Sequence, residues 1–174
     1  MADYINLLLN LEQSRQSLYR LVADLMLKNH LFLTTAESCT GGLIAAACTD
    51  LAGSSQWFDR GFVTYSNAAK TDMLGVDAAL IAQFGAVSEQ VAAAMAQGAL
   101  KNSAAQVSVA VTGVAGPAGG SAEKPVGTVW IGWCVNGQTT TELCHFDGDR
   151  ATVRALTVQQ ALNGLIERLQ SVKS

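Results

Sequence analysis

The chain has 174 residues, with eleven Lys+Arg against fourteen Asp+Glu and a formal net charge of -3. This length fits one domain of roughly 100–200 residues, residues 1–174, with no room for a second catalytic unit. Hydrophobic residues reach 49% and charged residues only 14%, which supplies a large core and excludes general disorder. The lack of any Lys/Arg cluster excludes wholesale binding to a nucleic-acid backbone.

No N-terminal stretch reads as a signal peptide, because Asp3 stands where a basic region would be and Asn6 and Asn10 interrupt the apolar run. No segment has the roughly 18–20 uncharged apolar residues of a membrane span, so a soluble protein without membrane partners is expected. Cys39, Cys48, Cys134 and Cys144 form no CxxC pair, which argues against a disulfide framework or a zinc site and for a reducing cytoplasm.

Residues 1–29 read as a helical region: Leu8, Leu11, Leu18, Leu21, Val22, Leu25 and Met26 recur at helical spacing over 4–28, with a break into two helices expected near 13–17 and a stop at Asn29. Residues 31–36 read as a strand running into Glu37-Ser38-Cys39-Thr40-Gly41-Gly42, and an Ala-rich helix follows over 43–51. Residues 61–66 read as a second strand. Helices are expected over 68–74, 78–84 and 89–101, the last capped by Ser88. Residues 106–112 form a third expected strand, which enters a glycine-rich segment, 113–127. A fourth strand, 128–135, should turn back at Asn136-Gly137 into an antiparallel partner over 139–146. Asp149 caps the final helix, whose apolar face carries Val153, Leu156, Val158, Leu162, Leu165, Ile166 and Leu169. Strands alternating with helices predict a three-layer α/β/α fold around a mixed, mostly parallel sheet, with one antiparallel pair from the hairpin.

Ligands bind such sheets beyond the carboxyl ends of the strands, which directs attention to the loops after Glu37, Ser66 and Thr112. Ser38 lies on a tight connection whose glycines free backbone amides, an arrangement suited to a nucleophile beside an oxyanion hole; alternatively, Ser38 and Thr40 merely cap the helix. Cys39 is the rival nucleophile, or a buried small hydrophobe. His30 and His145 lack a context that marks a base. Lys70 is the other candidate, provided desolvation lowers its pKa; otherwise it is a solvent-exposed helix lysine. Tyr65, at a strand end, can relay a proton or simply pack. Backbone amides freed by Gly116, Gly119 and Gly120 can form an anion nest with Lys124, or the segment is a flexible connector.

The runs TTAESCTGG (34–42), GSS (53–55), Trp57-Phe58, GFVTYSN (61–67), GAVSE (85–89), the loop from Thr112-Gly113 to Gly127-Thr128, and FDGDR (146–150) together resemble the CinA C-terminal domain family. The resemblance covers nearly all of the chain from Leu31. It implies hydrolysis of the carboxamide of nicotinamide mononucleotide to nicotinate mononucleotide and ammonia, a step of pyridine-nucleotide salvage needing no metal or cofactor. It places the nucleophile on Ser38, the base on Lys70 and the matching tyrosine on Tyr65. The nucleotide substrate is expected against Cys39, Thr40, Gly41, Gly42, Asn67, Thr112, Gly113, Gly116 and Lys124, the last with the glycine-rich loop around the 5′-phosphate. A homodimer is implied as well. The competing expectation is a catalytically silent paralogue that binds a pyridine nucleotide as a sensor, or a scaffold assembled through its N-terminal helix.

Overall fold

The computed structural model describes the backbone of residues 2–171 and the side chains of residues 13–171. Five strands form one sheet in the order β2-β1-β3-β4-β5: β1 (Leu33–Glu37), β2 (Phe58–Val63), β3 (Val107–Gly113), β4 (Thr128–Val135) and β5 (Gln138–His145). β1 runs parallel to β2 and β3, whereas β3–β4 and β4–β5 are antiparallel. The mixed sheet matches expectation, but antiparallel pairing extends one strand further than the hairpin alone predicts. The glycine-rich segment brings β4 back directly beside β3, a connection that needs no crossover helix.

Alternation along the strands divides the core into two layers. Val107, Val109 and Val111 of β3 join Val129, Ile131 and Trp133 of β4 beneath α1 (Ala2–Lys28), α2 (Leu43–Thr49) and α6 (Arg150–Ser171). Ala110 and Cys134 point the other way, with Val91, Met95, Ala96 and Ala99 of α5 (Glu89–Lys101) and with Leu74 and Ile81 from α3 (Asn67–Leu74) and α4 (Ala78–Phe84). A period of two places successive residues on opposite faces, and β1 and β3 are buried on both sides, β3 as a Val-rich run and β1 with Thr34, Thr35 and Glu37 buried among its residues. On the α5 side the layers approach closely: a Cβ on Gly132 would stand 2.7 Å from the Ala92 carbonyl oxygen.

α1 is one continuous helix rather than two. Ser17, within the expected break, donates its hydroxyl to the Gln13 carbonyl at 2.8 Å, so a polar stretch stays helical by bonding back to its own backbone. The helix stops where Asn29 suggested, but His30 supplies the left-handed residue (φ 53). Leu31 N–H then reaches the Met26 carbonyl and His30 N–H the Leu27 carbonyl, a Schellman closure. The side chains of Leu8 and Leu11, read as part of the apolar face, lie outside the described residues.

The second strand begins and ends three residues earlier than expected, because Ser66 is the N-cap of α3 and accepts the Ala69 N–H at 3.0 Å. The hairpin forms as expected, with Asn136 and Gly137 both at positive φ (51 and 78). Ser88 and Asp149 cap their helices, accepting from Val91 N and Thr152 N. The parallel strands β1, β2 and β3 all present their carboxyl ends to one edge of the sheet. Among the described residues, no helix is long and apolar enough to cross a membrane.

Candidate active site

β1 leaves the sheet at Glu37, and residues 38–42 make a turn into α2 with Gly41 and Gly42 at φ 62 and 100. Neither Ser38 nor Thr40 caps that helix, contrary to the simpler sequence reading. The cap is Glu37, a carboxylate only 1% exposed. Its Oε2 accepts from Thr40 Oγ1 (2.7 Å), Gly42 N (3.0 Å) and Ile44 N (3.0 Å), and its Oε1 from Ala45 N (2.8 Å) and Thr35 Oγ1 (3.2 Å). A negative charge at a helix N-terminus is favourable, and here it also removes the amides an N-cap side chain would otherwise satisfy. The result is a rigid clamp that fixes the backbone of Ser38 relative to β1. Ser38 N–H itself continues the ladder to the Val111 carbonyl, and Gly41 N–H closes the turn on the Ser38 carbonyl.

Lys70, in the first turns of α3, is buried to 1% exposure and is no solvent-facing helix lysine. Its Nζ donates to Ser38 Oγ at 3.1 Å and to the Thr64 carbonyl at 2.8 Å. Burial pulls its pKa below the ordinary lysine value, against a weaker opposing influence from Cys39. Cys39 carries no charge near neutrality, because burial foremost, with the Glu37 charge adding to it, pushes its thiol up to about 11. Its side chain packs in the α1–α2–α6 layer of the core. The thiol alternative therefore has neither exposure nor an ionisation suited to it. The Cys39 and Thr40 amides lie close enough to the Cys39 sulfur to favour its thiolate form, but they do not offset the burial. Of the histidines, His30 terminates α1 and His145 stands 3.4 Å from Thr128 Oγ1.

The other expected residues divide by what they touch. Tyr65 is 62% exposed; its hydroxyl accepts from Arg150 Nη2 at 3.2 Å. Arg150 Nη1 donates to the Gly116 carbonyl at 3.0 Å, tying the β2–α3 turn, the glycine-rich loop and the start of α6 together. Arg154, one turn further on, donates from Nη2 to the Thr40 carbonyl at 2.8 Å. The Thr112 hydroxyl is spent on the Ala86 carbonyl, and Gly113 allows β3 to approach β4, since a Cβ there would stand 2.7 Å from the Thr128 carbonyl oxygen. Asn67 opens α3 and is exposed. The Lys124 ammonium donates to the Phe84 carbonyl at 2.9 Å. A cavity of about 650 Å3 lies between the glycine-rich loop and α6, bordered by Pro117, Val126, Asp149, Arg150 and Arg154.

Three residues of this arrangement carry roles that the sequence did not suggest. Glu37 was visible as an acidic residue ending a short strand of Leu, Thr and Ala just before a helix. Arg150 closes the FDGDR run, and Arg154 follows it at the four-residue spacing that shares a helix face.

A hydroxyl within hydrogen-bond reach of a buried lysine whose pKa is lowered, on the carboxyl edge of a mixed α/β/α sheet, is the geometry that a serine nucleophile with a lysine base requires. The family model described as the CinA C-terminal domain matches residues 15–169, and the chain belongs to that family. It is 57% identical over 141 residues to the nicotinamide-nucleotide amidohydrolase PncC of Enterobacter agglomerans, covering 78% of this chain and 86% of the relative. The namesake from Pseudomonas putida is 56% identical over 135 residues, 78% and 84% of the two chains. Among solved structures, the competence/damage inducible protein CihA from Agrobacterium tumefaciens superposes with a TM-score of 0.84 at 50% identity, covering 90% of this chain and 95% of its own.

Proposed function

We propose that the chain is an amidase that hydrolyses the carboxamide of nicotinamide mononucleotide to nicotinate mononucleotide and ammonia, with Ser38 as nucleophile and Lys70 as base. The observation that carries this reading is the 3.1 Å contact between Lys70 Nζ and Ser38 Oγ within a buried setting. The names of the relatives supply the substrate. When neutral, Lys70 keeps one N–H on the Thr64 carbonyl and turns its lone pair to Ser38. The Ser38 proton moves to Nζ as Oγ attacks the carboxamide carbon, a step assisted by the electron-withdrawing pyridinium ring. The Cys39 and Thr40 amides, in the same turn as Ser38, are the donors we assign to the resulting oxyanion. Collapse expels ammonia, which takes its additional proton from Lys70, and leaves an ester on Ser38. Water then attacks that ester, again with Lys70 as base, and nicotinate mononucleotide departs as Ser38 recovers its proton. Tyr65 enters this scheme through Arg150, which it helps to orient.

The whole chain is read as one catalytic domain. A homodimer in a reducing cytoplasm belongs to the same proposal; four buried free cysteines fit such a compartment, and light scattering measures the assembly. The decisive assay is ammonia release by the purified protein on nicotinamide mononucleotide. Tight binding of the nucleotide without ammonia would replace the enzyme with the silent sensor.

A further inference from the structure

We infer that the substrate's phosphate sits in the cavity of about 650 Å3 at the start of α6, held by the guanidinium groups of Arg150 and Arg154. This rests on the amidase reading above and names the subsite that recognises the anionic end of the nucleotide. The volume lies within the roughly 300–1,000 Å3 usual for small-molecule sites. Arg154, in the wall of the cavity, bonds the Thr40 carbonyl, two residues from the nucleophile, and so links the cavity to the turn that carries Ser38.

Both guanidiniums retain binding capacity. The one ion pair among the described residues is Arg60–Asp59, so neither cavity arginine is neutralised by a carboxylate. Among the described residues, Arg150 is engaged by two neutral oxygens, the Tyr65 hydroxyl and the Gly116 carbonyl, and Arg154 Nε is buried without a partner. Asp149, the acidic residue of the cavity, directs Oδ1 to the Thr152 N–H. It thereby occupies the helix N-terminus, so the anion would be held by side chains rather than by helix amides. Two positive charges against one leave the cavity cationic, and planar forks suit phosphate oxygens better than a point charge does. Lys124, the cation expected from the sequence, is turned to the Phe84 carbonyl instead.

The test is calorimetric binding of nicotinamide mononucleotide and of nicotinamide riboside, which lacks the phosphate, to the Ser38→Ala protein and to Arg150→Gln, Arg154→Gln and Lys124→Ala made in that background. The mononucleotide is expected to bind roughly ten- to a hundredfold more tightly, as a charge-assisted contact allows. Each arginine variant should narrow that gap while weakening the riboside far less. Equal affinities in the parent, a gap that survives in both arginine variants, or equal weakening of both ligands would overturn the inference, the last by showing a merely structural role. Loss of the gap in Lys124→Ala alone would return the phosphate to that lysine. Ammonia release by the wild-type chain separates the two readings. A phosphate preference without ammonia refutes the amidase and keeps the subsite, whereas ammonia released equally from both compounds keeps the amidase and refutes the subsite.

Discussion

Lys70→Arg keeps a positive charge opposite Ser38 but removes the ability to give up a proton, because guanidinium stays protonated at any working pH. The 3.1 Å separation lies inside the range of about 2.6–3.2 Å that proton transfer requires, and a positioned base contributes about 10²–10⁴ in rate. At 1.36 kcal/mol per tenfold, the variant should lose about 2.7–5.4 kcal/mol of transition-state stabilisation. An ordinary lysine of pKa about 10.4 is neutral in only about one molecule in 2,500 at pH 7. Each unit by which burial lowers the pKa of Lys70 multiplies the reactive fraction tenfold. Ammonia release followed across pH should therefore show kcat/KM rising tenfold per unit, then levelling off well below the ordinary lysine value. Wild-type-like activity in Lys70→Arg, or a profile that bends only near about 10.4, would refute the lysine as base. The same burial appears in stability. The folded chain binds the Lys70 proton less tightly than the unfolded chain, so the stabilising contribution is fully present above the unfolded pKa and lost as pH falls through the depressed one. Relative to Lys70→Met, the wild type should gain Tm as pH rises through that window, and a pH-independent difference would contradict it.

Ser38→Ala should abolish ammonia release while leaving nucleotide binding nearly intact, whereas Cys39→Ala should cost less than roughly tenfold in kcat, since its thiol serves packing; equal losses would revive the thiol. Glu37→Gln should lower unfolding free energy by about 2–4 kcal/mol in denaturant titrations, because several charge-assisted bonds to one buried carboxylate weaken together, and it should depress kcat through the displaced Ser38 loop. An unaffected kcat would show that the clamp does not position the nucleophile. Gly127→Ala should destabilise by about 1–3 kcal/mol or more, because a Cβ there would stand 2.1 Å from the Phe146 carbonyl oxygen at a φ of 93. Thermal unfolding measures that loss, and an unchanged Tm would mean that the glycine-rich loop is not pinned against β5.

What the sequence determined by itself was what local chemistry dictates. Apolar periodicity set the alternation of strands and helices, Asn136-Gly137 set the hairpin because both positions need positive φ, and Ser88 and Asp149 set helix starts because their side chains accept nearby amides. The Ser38 turn was legible for the same reason, from glycines that free a strand-to-helix connection, and the chemistry of Lys70 followed once a neutral base was needed. The sequence could not show that Lys70 lies in reach of Ser38. That distance depends on β1 and β2 pairing in parallel, so that two loops 32 residues apart leave the same edge. Nor could it show that Glu37 turns inward to cap α2 or that Arg154 reaches Thr40 across 114 residues. A charged residue is solvated by default in a one-dimensional reading. Only the packed layers exclude the water that would otherwise satisfy it, and that exclusion makes a carboxylate into a clamp and gives a lysine the lowered pKa that a base needs.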